Sequence, residues 1–258
     1  MNITAHFQTA WRPAAAHLMA SALVLGCAAA MVFLVWYPSP LDQLADGRAI
    51  LLIVMAVDLA CGPLLTFLIA SPGKSRLAFF GDVAVIGVLQ LAALTYGVIS
   101  LYDARPVYLA FEGNRFRVVS VPDIDPTSRA TGEMAHQPLP MWGPVPIGVK
   151  ILESNHPEYL QSLQQALEGN HPAFRPERWV PYEQQASQVK AASRPVDDLI
   201  AQSAQTSSMV LNWLATQGKS SSQVRFLPLE NEKKLDWVIL LDSQTTMPLG
   251  YLALDGWR

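Results

Sequence analysis

Three long, almost uncharged apolar runs fill the first hundred residues, and they limit what this chain can fold into. They cover 17–37, 49–70 and 83–101. Each supplies about the 20 residues needed to cross a hydrocarbon core. A single such run can be a buried helix of a soluble protein. Three in succession predict three transmembrane helices. A cleavable signal peptide fits the first run poorly. That run is longer than a signal core, its only upstream charge is Arg12, and Ala28, Ala29 and Ala30 lie inside it rather than just after it.

Composition matters here because charge is unevenly placed. The whole chain is 51% hydrophobic and 15% charged, short of the quarter or so charged that soluble domains carry. Residues 1–101 hold four basic residues (Arg12, Arg48, Lys74, Arg76) and four acidic ones (Asp42, Asp46, Asp58, Asp82), whereas residues 102–258 hold 14 basic and 17 acidic. The chain is therefore expected to be a membrane protein with three N-terminal transmembrane α-helices (1–101), followed by an extracytoplasmic α+β domain (102–258). Neither part is net positive, which excludes nucleic-acid binding through a basic surface. Arg12 precedes the first run, Lys74 and Arg76 separate the second from the third, and only Arg48 lies in the other loop. The positive-inside rule puts the N-terminus in the cytoplasm and residues 102–258 outside. Trp36, Tyr37 and Tyr102 then mark the outer interface. Cys27 and Cys61 both fall within the runs, so the outer domain must be held by its own core.

In that domain, 107–111 and 116–121 predict two strands around a Glu112-Gly113-Asn114-Arg115 turn. Six prolines between 122 and 146 predict an extended loop, and 145–152 a further strand. Leu160, Leu163 and Leu167 are spaced like one helix face over 157–167. Residues 183–217 are rich in Gln, Ala and Ser and predict helix, broken near Pro195 and ending at Gly218. Strands over 224–229, 235–241 and 249–254 close the chain, the last two joined by a hairpin connection at 242–246. Strands, helices, then strands again point to an α+β domain.

No nucleotide-binding glycine loop, metalloprotease motif or serine-hydrolase elbow occurs, so no catalytic residue, metal or cofactor is expected. His156 and His171 with Glu158 would hold a metal only if folded together, and the Asn-His-Pro repeat at 155–157 and 170–172 is more simply a pair of helix starts. The informative residue is Asp58, near the middle of the second run. A central Asp costs roughly 2.5–3.5 kcal/mol on translocon scales, so it needs a partner, water or a neutral state. Bonding within the bundle, to Gln90 or Ser21, and binding of a partner protein are equally weighted roles. Transport is a third reading, but one acid and three spans make no complete pathway in a single chain. Gly62-Pro63 follows one turn later, where Pro63 leaves the Leu59 carbonyl without its helical donor. Ala22, Gly26 and Ala30 recur four apart and permit close helix packing, within the bundle or with a foreign helix.

Together these residues resemble the TfpX/TfpZ family of type IV pilin accessory proteins. The resemblance rests on Trp36-Tyr37-Pro38-Ser39-Pro40-Leu41, on Val57-Asp58 with Gly62-Pro63-Leu64-Leu65-Thr66, on Lys74-Ser75-Arg76, and on Ala104-Arg105-Pro106-Val107-Tyr108 running into Phe111-Glu112 and Arg115-Phe116. Leu240-Leu241-Asp242 and Leu249-Gly250-Tyr251 add to it, while Asn114 stands where an acidic residue is expected. It implies a multi-pass protein of the bacterial inner membrane with a periplasmic domain. The implied role is a chaperone-like one: supporting the stability or assembly of a cognate type IV major pilin, without catalysis. A pilin-modifying enzyme and an envelope sensor or scaffold are the alternatives. Implied partners are the pilin, membrane lipids and the pilus assembly machinery. Asp58, Gly62, Pro63, Gly26 and Gln90 are expected to shape an intramembrane contact. Arg105 would read an acidic pilin head or a lipid phosphate, or simply anchor the interface. The pilin's own apolar helix carries one acid, and beside it Asp58 would have to be neutral because two buried carboxylates repel.

Overall fold

A computed structural model describes the chain except residues 1–2, 45–46, 72, 128–131, 135–136 and 232–234. It divides into two compact units, Met1–Arg105 and Pro106–Arg258.

The first unit is helical. α1 (Ile3–Met31) passes into one π-helical turn, Val32–Trp36. A short α2 (Leu41–Leu44) leads to α3 (Gly47–Ile69) and then α4 (Arg76–Asp103). The segments His6–Trp36, Leu51–Ile69 and Arg76–Asp103 are long and apolar enough to cross a membrane. Leu23, Leu34, Val88 and Leu89 point outward from them, as side chains solvated by lipid do. α1 begins well ahead of residue 17, because neither Arg12 nor Pro13 ends it. Helical hydrogen bonding does not require an apolar side chain, so the hydrophobic run marks only the part suited to hydrocarbon. Pro63 likewise lies inside α3, which continues to Ile69. Ser75 caps α4, its hydroxyl accepting from the Ala78 amide at 3.2 Å.

α3 packs against both α1 and α4. Where α1 ends, Val32, Tyr37, Leu51 and Leu101 form a buried cluster. There the Tyr37 hydroxyl donates to the Leu101 carbonyl at 2.9 Å, and Trp36 packs on Tyr102 with ring centres 5.1 Å apart. Lys74, between α3 and α4, pairs with Asp82.

The second unit is built on one eight-stranded mixed sheet. β1 (Pro106–Phe111) and β2 (Phe116–Ser120) form an antiparallel hairpin that closes at Phe111 opposite Phe116. β3 (Val145–Val149) joins β1 in parallel. After α5 (Tyr159–Leu167), the two-residue β4 (Trp179–Val180) extends that edge. The Gln-rich stretch is helical only in pieces: α6 (Ala186–Ala192), α7 (Asp197–Ile200) and α8 (Ala204–Gln217). Between α6 and α7 the chain is extended, and β5 (Arg194–Pro195) pairs with Arg225 and Phe226 of β6 (Val224–Glu230). Pro195 cannot continue a helix and is tolerated in a strand this short. α8 ends at Gly218, in the left-handed region at φ 62°, where glycine carries no Cβ penalty. β7 (Trp237–Asp242) and β8 (Pro248–Leu252) complete the order β4-β3-β1-β2-β6-β7-β8.

Two apolar clusters hold this unit. One joins Tyr108, Val119 and Ile147 to Phe174 and Trp179. The other joins Leu199, Val210 and Leu214 to Phe226, Val238 and Leu240. A buried ion cluster ties the hairpin to its neighbours. Arg117 donates to Glu112 at 2.9 Å and to Glu230 at 3.3 Å, and Arg115 reaches Glu230 at 3.0 Å. The other oxygen of Glu112 accepts the Ala173 amide at 2.9 Å.

α5 is turned opposite to a usual surface helix. Arg175, itself buried, donates to Gln165 at 2.5 Å and to Ser162 at 2.8 Å, holding the polar face inward. Leu160, Leu163 and Leu167 are left exposed, Leu167 by 82%.

Candidate functional site

The apolar bundle contains one polar core, and it starts from a spacing in α3. Asp58, Gly62 and Thr66 recur every four residues, so they share one helix face. From α4, the Gln90 amide nitrogen donates to the backbone carbonyl of Asp58 at 2.7 Å. A carbonyl only accepts, so this bond fixes the amide orientation and turns its oxygen towards His17 of α1. His17 Nε2 lies 2.7 Å from that oxygen and therefore donates to it. The other ring nitrogen lies 2.6 Å from the hydroxyl of Thr66, which is itself buried. One chain of hydrogen bonds thus runs Thr66, His17, Gln90, Asp58 and clasps all three spans.

Gly62 makes the clasp possible. A Cβ at that position would lie 2.4 Å from both the oxygen and the nitrogen of the Gln90 amide. Of the two in-bundle partners read from sequence as alternatives for the Asp58 side chain, Gln90 does not bond to the carboxylate. Gln90 bonds to the Asp58 backbone, because the missing Cβ opens that approach and His17 engages the amide oxygen.

Beside the clasp, α1 and α4 border a crevice of about 180 Å³ that Asp58 of α3 also lines. Its walls include Ala20, Val24, Leu25, Leu91 and Leu94, with His17, Ser21 and Gln90 as the other polar residues. Asp58 is only 6% exposed. Among the described residues no hydrogen-bond donor reaches its carboxylate, so the expected bond to Ser21 is not made either. A second crevice of about 310 Å³ is lined by Pro13, Thr66, Phe79 and Phe80 among others and shares His17 with the first.

Of the residues singled out from sequence, Asp58, Gly62 and Gln90 come together. Pro63 adjoins them in α3. Gly26 does not join the clasp. No atom of another helix lies within 4 Å of where its Cβ would be, and Ala22 and Ala30 are exposed with it. The small-residue face of α1 is thus turned away from the bundle, not packed on α3 or α4. Arg105 lies apart, just past the end of α4. It is buried, with its guanidinium 3.8 Å from the Tyr102 ring centre and donating to the Tyr102 carbonyl at 2.7 Å. His17 and Thr66 were not singled out from sequence. The four-residue spacing through Thr66 was the available signal for one of them.

In the second unit, a hollow of about 470 Å³ is lined by Arg115, Arg117, His171 and Glu230 among others. Burial, and then the Arg117 charge, hold the His171 imidazole below its ordinary pKa. Both carboxylates beside Arg117 are already paired. Among the described residues no three His, Cys, Asp or Glu side chains are grouped as a metal ion requires. His156 accepts the Glu158 amide at 3.2 Å, and His171 packs edge-on to Phe174.

Three membrane-length helices joined by a polar clasp, with a mixed-sheet domain following in the chain, define a membrane-anchored protein with a buried carboxylate in its spans. Comparison with known proteins then gives its family. The family model "Fimbrial assembly protein FimB" matches residues 5–46. The fimbrial assembly protein of Dichelobacter nodosus serogroups C1 and C2 is 35% identical over 108 residues, which are 42% of this chain and 82% of that protein. The serogroup I protein of the same organism is 29% identical over 229 residues, 88% of each chain. The chain belongs to the fimbrial assembly protein family. No solved structure matches it.

Proposed function

We propose that this protein is a non-catalytic helper of pilus assembly that binds a cognate type IV pilin before it enters the fibre. The observation that carries the reading is the Asp58 carboxylate, buried at mid-span without a donor and facing a crevice between α1 and α4. A membrane protein leaves such a group unpartnered at a cost, and a partner helix laid along that crevice relieves it. The outward face of Ala22, Gly26 and Ala30 offers a second stretch for close helix contact. Leu160, Leu163 and Leu167 on α5 form an apolar strip suited to holding a pilin head beyond the membrane. The distribution of Lys and Arg supports a cytoplasmic N-terminus; with the spans in the inner membrane, residues 106–258 would then lie in the periplasm.

Family membership supports a part in pilus assembly, and pilin binding is the chemistry by which this chain would take that part. The test compares pilin from cells with and without the protein. The expected result is less pilin of unchanged mass when the protein is absent, restored by supplying it. A change in pilin mass would overturn the helper reading in favour of a modifying enzyme, and unchanged pilin amount and mass would overturn it outright.

A further inference from the structure

Asp58 lies within the membrane-length segment Leu51–Ile69 of α3, about 10 Å of helix from one end and about 16 Å from the other. At that depth lipid headgroups do not reach, and a partner group that meets the carboxylate arrives on a membrane-embedded chain. The polar groups around it are unequal in availability. Both ring nitrogens of His17 are engaged, as are both ends of the Gln90 amide. Among the described residues the Asp58 carboxylate and the Ser21 hydroxyl make no hydrogen bond through their side chains. Both can accept, and both line the same crevice.

The lining residues include one acid and neither Lys nor Arg. Its volume, about 180 Å³, exceeds the ~30 Å³ share of one water several-fold. It holds one side chain of a helix laid along it. We propose that the crevice receives one cationic side chain, an ammonium or guanidinium, carried by a partner's apolar transmembrane helix, with Asp58 and Ser21 taking its donors. A cation supplies several donors from one group and offsets the charge that the apolar walls otherwise penalise. A partner carboxylate at the same depth would require Asp58 to be neutral and would add acceptors where donors are already too few.

The proposal rests on the reading that the spans hold a partner helix, but not on that helix being a pilin's. Its test therefore uses synthetic peptides. The full-length protein in lipid nanodiscs is titrated with fluorescent 23-residue Leu/Ala transmembrane peptides that differ only at the central residue: Lys, Gln, Leu or Glu. Charge-assisted hydrogen bonding predicts that the Lys peptide binds about tenfold or more tighter than the Leu peptide. Asp58→Asn, which keeps the shape, should remove most of that preference, and Ser21→Ala part of it. Equal binding of Lys and Leu peptides, a preference for Glu, or an undiminished Lys preference in Asp58→Asn would each overturn the proposal. A Lys preference in a protein that fails to capture pilin would retain the cation site and reject the pilin reading.

Discussion

Replacing Arg117 with methionine will destabilise the C-terminal unit by about 3–5 kcal/mol. The side chains of Arg117, Glu112 and Glu230 are each only 6–7% exposed. Removing the cation leaves two carboxylates where water barely reaches. They do not suffer equally. Glu230 keeps Arg115 at 3.0 Å. Glu112 keeps only the Ala173 amide and loses its counter-charge, so most of the loss is expected there. The effect is read from denaturant unfolding of the full-length protein in detergent, followed by tryptophan fluorescence, since Trp179 and Trp237 lie in the affected sheet. Adding Glu112→Gln to Arg117→Met should recover part of the stability. A loss below about 1 kcal/mol would mean that the cluster behaves as an exposed ion pair.

The second large effect concerns the membrane clasp. Gly62→Ala will destabilise the helical unit by about 1–3 kcal/mol. The added Cβ would meet both Gln90 amide atoms at 2.4 Å, so the amide must leave the Asp58 carbonyl and, with it, His17. Gly26→Ala is the matched control. It adds the same methyl to α1 in open space, where the better helix propensity of Ala, worth up to ~1 kcal/mol in water-exposed helices, is not opposed by a clash. Stability of the two variants is compared by unfolding in mixed micelles of increasing SDS fraction. If both behave alike, Gly62 is not the gate of the clasp. A Gln90→Ala variant should resemble Gly62→Ala, since it loses the same bonds without overpacking.

Much of the architecture was legible because it follows from solvent and charge. Three nearly uncharged apolar runs marked three membrane-length helices, and the strand–helix–strand order marked an α+β domain; that its sheet is mixed comes from the parallel pairing of β1 with β3 and of β2 with β6. Other features depend on atoms that a linear pattern does not juxtapose. Glu112 sits in a turn of ordinary composition, yet the register of β1 and β2 brings it to Arg117 and the next segment to its second oxygen. Leu160, Leu163 and Leu167 have the spacing of a core-facing stripe. Arg175 reverses the helix by capturing Ser162 and Gln165, and nothing local to α5 announces that. Within the bundle, Asp58 and Gln90 were visible as rare polar residues in apolar runs. Their true connection, through a backbone carbonyl bared by Gly62, required the helix register. His17 seemed only the first residue of a span. It proved to be the link between α1 and the other two because α1 starts far earlier and carries it into the bilayer.

A pilin helix bound as proposed lies along the crevice between α1 and α4. Position 62 is unsuitable for a photoreactive probe, because Gln90 fills the space. Leu91 lines the crevice and is 55% exposed, while Leu89, 65% exposed, lies on another face of the same helix. A photocrosslinking amino acid placed at each position, in cells making the cognate pilin, tests this placement directly. A pilin adduct is expected from position 91, mapped to the pilin's apolar helix, with little or none from position 89. Equal yields from both positions, or adducts from position 91 only within the protein itself, would contradict it.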